Sequence, residues 1–342
     1  KPTLLALCAL FPDQMEKLEK DFQIVRLYKE PDPEITLNAV KENVTAILAT
    51  MGNQIQANLI NALPNLGIIC LKSVGFDNVD LQAAKDNNVV VTNCPDLVTA
   101  DTADTAIGLL MNVSRRYVEL DAYVRVGRWQ KSGTQPLGTS LGRKKVGIAG
   151  LGRIGQAIAK RCEAFDMDVS YFGRHKKDGI SYPYYNDLKA MAADVDYLVT
   201  VVPGGEKTQN MVDMDVFKAL GENGYFINVA RGSVVNEQDL IKALQTGIIK
   251  GAGLDVYKNE PNVPDELKTM DNVVLFPHVG ANTYETVEAM GNLIIENLLA
   301  HKAGKPVKTP VQSPSRICYS TTGNHILRLM PKPMKSEPTV SC

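Results

Sequence analysis

At 342 residues the chain is long enough for two domains, and 44% apolar content with a net charge of −1 describes a globular protein with no electrostatic bias toward nucleic acid or an anionic membrane. No apolar run approaches the roughly 20 residues of a membrane span, and Lys1-Pro2-Thr3-Leu4 leads into a strand-like segment rather than a signal peptide. The six cysteines are scattered, with no Cys-x-x-Cys and no His/Cys cluster, which predicts reduced thiols in a cytoplasmic protein rather than disulfides or a metal site.

In chain order, short apolar runs at 4–10, 44–49, 67–71 and 89–92 read as strands. Helical patterns at 14–20, 54–63 and 81–85 alternate with them, the second closed by Pro64. Such alternation predicts a parallel sheet covered on both faces. Two glycine turns follow strands here, Met51-Gly52 and Ser73-Val74-Gly75-Phe76-Asp77. Open α/β sheets bind ligands at the carboxyl ends of their strands, and N–H groups in such turns can hold a carboxylate. Either turn taken alone is better explained as plain turn chemistry.

A single helix is predicted over about 102–126, apolar at Ala106, Leu109, Leu110, Val113, Tyr117, Leu120 and Val124. Its length suits a bridge between domains or a subunit contact. Gly127 to Gly142 reads as a Gly/Ser/Thr-rich loop holding the only tryptophan, Trp129. That side chain either anchors a subunit interface or folds back on its own surface, and the enrichment of Trp at interfaces favours the former.

From Lys145 the βα alternation resumes. An apolar strand at 146–149 runs into Gly150-x-Gly152-x-x-Gly155 and then into a helix over 154–165. A lone Gly-x-Gly-x-x-Gly is weak, but strand before and helix after make it a dinucleotide site. Gly150 allows the bend, Gly152 admits a pyrophosphate, and Gly155 lets helix and strand pack closely. The helix N-terminus offers N–H groups and a positive dipole end to the phosphates. Strands at 167–172, 196–202, 224–229, 249–254 and 273–276, with helices at 186–192, 213–219 and 236–245, complete a Rossmann-type sheet. The helix over 283–302 is expected to lead the chain back across the cleft, so that two crossings form a hinge. The predicted architecture is two Rossmann/flavodoxin-like α/β domains with parallel sheets and an interdomain cleft for cofactor and substrate. Residues 1–98 with 285–311 form the substrate domain and 99–284 the dinucleotide domain. The proline-bearing 312–342 is expected to be a disordered tail.

Dinucleotide folds usually carry an acid about 20 residues after the glycines to bind the adenosine ribose. Here the strand ends in Gly173-Arg174-His175-Lys176-Lys177, with cations where the acid would stand. Such a turn is either merely solvated or a seat for a 2′-phosphate, and its position favours the latter, hence NADPH with NADH as the weaker alternative. Reduction of a ketone also needs a proton donor and a cation to orient the carbonyl. Of four histidines, His175 belongs to the basic turn, His301 to an outer helix end and His325 to the tail. His278 follows a strand and Pro277 at the rim of the sheet, while Arg231 and Glu260 follow other strands.

These motifs together resemble the D-isomer-specific 2-hydroxyacid dehydrogenase family over nearly all of 3–311. They are Ser73-Val74-Gly75-x-Asp77, Gly150-x-Gly152-Arg153-Ile154-Gly155, Asn228-Val229-Ala230-Arg231-Gly232, Gly253-Leu254-Asp255-Val256, Glu260-Pro261 and Pro277-His278-Val279-Gly280. The resemblance implies that Arg231 binds the substrate carboxylate and carbonyl, that His278 is the acid/base paired with Glu260, and that Asp255 holds the nicotinamide carboxamide. It implies a carboxylate grip at Met51, Gly52, Ser73, Val74 and Gly75. To the cofactor it assigns Thr102, Val202, Pro203, Thr208, Ala230 and Gly280 beside Arg153, Ile154, the three glycines and Arg174, His175 and Lys176. Pro203-Gly204-Gly205-Glu206, where many members read Pro-Leu-Thr, is similar to the glyoxylate/hydroxypyruvate reductase branch and its relatives acting on hydroxyphenylpyruvate or 2-ketogluconate. A homodimer that reduces a small 2-keto acid is the implied protein. A corepressor-like dinucleotide sensor and a formate or phosphite dehydrogenase of the same fold are the competing readings.

Overall fold

A computed structural model describes residues 1–311. The expected tail, 312–342, lies outside the described residues. The first sheet is formed by β1 (Thr3–Ala6), β2 (Gln23–Arg26), β3 (Val44–Ala49), β4 (Ile68–Leu71) and β5 (Val90–Thr92), all parallel, in the order β2-β1-β3-β4-β5. Leu4, Leu5, Ile47, Leu48, Ile68 and Ile69 are fully buried because helices cover both faces, which is why β1, β3 and β4 read as unbroken apolar runs. β2 escapes the sequence reading because it is an edge strand with polar ends, Gln23 and Arg26, and no buried residue. The helix Pro33–Val40 also escapes it, although Pro33 opens it and the Asp32 carboxylate accepts the Ile35 N–H at 3.0 Å.

The second sheet is formed by β6 (Lys145–Ala149), β7 (Asp168–Phe172), β8 (Tyr184–Tyr185), β9 (Tyr197–Thr200), β10 (Tyr225–Asn228), β11 (Gly251–Leu254) and β12 (Val273–Leu275). All are parallel, in the order β12-β11-β10-β9-β6-β7-β8. The chain steps outward from β6 to β7 and β8, then returns to lay β9 on the other side of β6. Sequence order reverses there, and the crevice at the carboxyl ends of β6 and β9 is the switch point where such sheets bind nucleotides.

The helix predicted over 102–126 is in fact two, Thr99–Arg115 and Tyr117–Arg125, broken at Arg116, whose φ is 58°. The first buries Ala106, Leu109, Leu110 and Val113 in the core under the second sheet; the second buries nothing, so no packing force holds the two in line. The predicted loop beyond contains a short helix, Arg128–Ser132, and its returning segment is tied down by Thr139 N–H donating to Ser114 O at 2.7 Å. Trp129 on this arm is 59% exposed and so does not fold back on its own surface.

The helix Tyr284–Lys302 crosses back to the first sheet, where Met290, Ile294 and Leu298 share one core with Leu4, Leu48 and Ile68. Val311 N–H then donates to Val91 O on β5 at 2.7 Å. Among the described residues no helix is long and apolar enough to cross a membrane, and no group of three His, Cys, Asp or Glu side chains could hold a metal.

Candidate active site

The glycine turn stands at the switch point. Gly150 has φ 101°, closed to most side chains, and a Cβ added at Gly155 would meet Gly150 O at 2.1 Å, so the helix Arg153–Glu163 lies directly on the turn. That helix begins at Gly152 with no side-chain cap, and a Cβ at Gly152 would meet nothing within 4 Å. Uncapped N–H groups thus face open space, which fits a pyrophosphate. Val202 closes the crevice against Gly150, and Thr208 Oγ1 holds the Pro203–Thr208 turn through Pro203 O at 2.7 Å and Gly205 O at 3.1 Å. Ile154 packs against cores of both sheets, while Arg153 pairs with Asp96 at 2.5 Å. Beyond β7, Tyr171 accepts the Lys177 N–H at 2.9 Å and Tyr184 donates to Gly173 O at 3.0 Å. These two contacts pin the ends of the basic turn and leave Arg174, His175 and Lys176 exposed.

Arg231 is delivered by a network at the end of β10. Buried Asn228 accepts from Ala230 N–H at 3.0 Å and from Thr200 Oγ1 at 2.9 Å, and donates to Arg231 O at 3.1 Å. The next residue, Gly232, is a close approach: a Cβ there would lie 1.9 Å from Tyr257 C and 2.0 Å from its O. The Arg231 turn therefore lies flat on Tyr257, whose N–H donates to Glu260 Oε1 at 3.0 Å. The guanidinium reaches across to the first sheet, where its Nε donates to Asp77 Oδ2 at 2.9 Å, while Nη1 donates to Ala230 O at 2.7 Å. Asn228, Thr200 and Asp77 were given no role by the sequence reading. The available signal was a polar residue ending an apolar strand and an acid inside a recognised motif.

Facing Arg231, the Ser73–Gly75 turn has its carbonyls occupied: Ser73 O by Cys94 N–H at 2.8 Å, Val74 O by Asn93 Nδ2 at 2.7 Å, Gly75 O by Ser73 Oγ at 2.7 Å. The N–H groups of Val74 and Gly75 remain to meet an anion. Met51 lies against the guanidinium, Sδ to Nη2 at 3.9 Å, and Gly52 is exposed beside it.

His278 follows β12 with φ 54°, a left-handed conformation uncommon for residues other than glycine. Its Nδ1 is 2.7 Å from Glu260 Oε2. Burial works to raise the Glu260 carboxyl, but the hydrogen bonds from His278 and Tyr257 N–H, with the charges of His278 and Arg231, outweigh it and hold it below its ordinary value. An ionised Glu260 accepts, so Nδ1 carries a hydrogen and Nε2 is the free end. The turn behind His278 is clamped: Asp255 accepts from Val279 N–H at 2.7 Å and Gly280 N–H at 2.9 Å, and Thr102 Oγ1 donates to Gly280 O at 2.9 Å. Burial pushes the Asp255 carboxyl up against the pull of those donors. Asp255, implied as a cofactor contact, thus spends one lone pair of each oxygen on the His278 turn.

Arg231, Glu260, His278, Asp255, Ala230, Thr102 and Gly280 gather at the ends of β10–β12, with Met51, Ser73, Val74 and Gly75 opposite. Arg174, His175 and Lys176 stand apart, beyond β7.

The family model for the D-isomer specific 2-hydroxyacid dehydrogenase NAD binding domain matches residues 107–280. Glyoxylate/hydroxypyruvate reductase A of Arabidopsis thaliana and hydroxyphenylpyruvate reductase of Plectranthus scutellarioides are each 44% identical to the chain, over 90% of it and 98% of their own length. A crystal structure of an NADPH-dependent glyoxylate/hydroxypyruvate reductase from Sinorhizobium meliloti, solved with NADP and malonate, superposes with a TM-score of 0.85. It is 41% identical, covering 91% of this chain and 96% of that one.

Proposed function

The chain belongs to the D-isomer specific 2-hydroxyacid dehydrogenase family of NAD(P)-dependent oxidoreductases, and from that premise we propose that it reduces glyoxylate or hydroxypyruvate to the D-2-hydroxy acid with NADPH. The observation that carries this reading is the convergence of Arg231, the Glu260–His278 pair and the Ser73–Gly75 turn at one set of strand ends. When bound, the nicotinamide dinucleotide supplies the hydride. The Arg231 Nη2 edge and the N–H groups of Val74 and Gly75 bind the substrate carboxylate, and Arg231 polarises the ketone oxygen. His278, protonated on both nitrogens and held by Glu260 through Nδ1, gives its Nε2 proton to the developing alkoxide. Asp255 and Thr102 keep the imidazole in place by clamping the backbone behind it. The Gly150–Gly155 turn with Arg153 and Ile154 takes the pyrophosphate, and the Val202–Thr208 segment with Ala230 and Gly280 lines the rest of the crevice. Arg174, His175 and Lys176, exposed and without an ion-pair partner among the described residues, suit a 2′-phosphate, and the Sinorhizobium relative is named as NADPH-dependent.

Assembly follows from the arm. Val118, Val124, Val126, Trp129 and Leu137 are exposed along it, and covering them in a two-fold contact makes the protein a homodimer. Free thiols at Cys8, Cys70, Cys94 and Cys162 suit the cytoplasm. The test is a panel of glyoxylate, hydroxypyruvate, hydroxyphenylpyruvate and 2-ketogluconate, each followed by nicotinamide absorbance with NADPH and NADH. Turnover is expected to be fastest with the two small acids and NADPH; no turnover with any keto acid overturns the reading in favour of a dinucleotide sensor.

A further inference from the structure

The roles above leave Asp77 unused, although it sits in the same turn as Ser73 and Gly75. It comes from the first sheet and Arg231 from the second. The pair they form is half-buried, with side-chain exposures of 35% and 27%. A guanidinium has five N–H bonds in a rigid plane. Asp77 takes Nε and Ala230 O takes one at Nη1, which leaves Nη2 pressed on the turn, where a Cβ at Gly75 would lie 1.9 Å from it. The nearest side chain to Nη2, Met51 with Sδ at 3.9 Å, is too weak an acceptor to satisfy it. The plane is thus turned so that its free edge faces the N–H groups of Val74 and Gly75. The next residue extends the arrangement: buried Asn78 donates through Nδ2 to Thr50 O at 3.1 Å and Asn53 O at 2.6 Å, the two ends of the Met51–Gly52 turn. A Cβ at Gly204 would stand 3.0 Å from Arg231 Cγ and 3.4 Å from Asp77 Oδ2, so the glycine at this position gives the pair its room.

We propose that Asp77 is a positioning residue of the keto-acid site, a proposal that rests on the functional reading above. Its carboxylate aims the Nη2 edge of Arg231 at the anion-binding turn, and by partly neutralising the guanidinium it sets how tightly the substrate carboxylate is held. The two effects have opposite signs and separate in two variants of the full chain. Asp77→Asn keeps an oxygen to accept Nε–H but removes the counter-charge, so Arg231 meets the substrate with its full charge. KM for glyoxylate should fall by about threefold to tenfold while kcat stays within about threefold. Asp77→Ala removes the aim as well, and kcat/KM should fall by on the order of tenfold or more. NADPH affinity, read by cofactor fluorescence, should be the same in parent and both variants, which a general folding defect would not allow.

The same series is read a second way, by calorimetric binding of glyoxylate to protein loaded with NADP⁺, where the order of affinity should be Asn variant, parent, Ala variant. If the parent turns over but both variants shift together, or neither moves, the Asp77 proposal is overturned and the functional reading stands. If the binding order appears without turnover of any keto acid, the functional reading fails and the role of Asp77 stands. A parent that neither binds nor reduces glyoxylate overturns both.

Discussion

The charge of Glu260 can be isolated by Glu260→Gln, which keeps an oxygen to accept the Nδ1–H of His278 and removes only the negative charge. The two groups are 2.7 Å apart, and their side chains are 36% and 34% exposed. Unit charges about 4 Å apart interact by about 1 kcal/mol in water and about 4 kcal/mol at an effective dielectric of 20. Exposure of a third places this pair near the lower end. A loss of about 1 kcal/mol corresponds to about fivefold in rate, so kcat/KM for keto-acid reduction at neutral pH should fall by about fivefold. The direction is fixed by the proposed chemistry: reduction needs the imidazolium, whose charge the carboxylate attracts. Oxidation of the hydroxy acid starts from the neutral ring, so it should lose less than reduction does. On the stability side, the folded Glu260 carboxyl lies below its ordinary value of 4.5. A depressed folded value contributes stability that is present above the unfolded value and lost as pH falls through the folded one. Thermal melts should therefore show the parent losing, below about pH 4.5, an increment that the Gln variant never has. Initial rates of reduction and oxidation at neutral pH and constant ionic strength provide the kinetic half. Reduction that keeps its parental kcat/KM in the variant would refute the argument, because the carboxylate would then not be acting on the proton donor.

His278→Ala should lower turnover by about two or more decades, as loss of a general acid does, while NADPH fluorescence titration gives a nearly parental affinity. Arg174→Ala should raise KM for NADPH by about tenfold, the worth of an exposed charge-assisted hydrogen bond, and leave NADH almost untouched. Equal losses for the two cofactors would make Arg174 structural. Light scattering at micromolar concentration should return twice the chain mass, and Trp129→Glu, which puts a charge on the proposed contact, should shift it toward the monomer. A parental protein that is monomeric removes the dimer.

What was legible in the sequence is what depends on neighbours in the chain. The glycine turn announces itself because strand, turn and helix are contiguous, and Arg231 and His278 are found because parallel strands deliver their carboxyl ends to one edge. β2 and β8 were missed for a local reason too: one is a half-exposed edge and the other spans only Tyr184–Tyr185, so neither makes an apolar run. The break at Arg116 has no sequence mark, since an arginine gives no warning of a positive φ; the loss of buried positions after Ser114 is its only correlate. The contacts around the proposed catalytic groups are of another kind. Asp77 reaches Arg231 over 154 residues, and no periodicity or spacing encodes that contact. Asp255 makes the point at shorter range: its motif marks it as important, yet only the fold reveals that its two oxygens hold the backbone of Val279 and Gly280. A motif therefore names the proposed reacting groups, while the geometry that places Arg231 and His278 comes from partners on other elements. Truncating Asp77 or Asn228 to Ala should accordingly lower kcat/KM for keto acids even where the glycine turn, His278 and Arg231 are all intact.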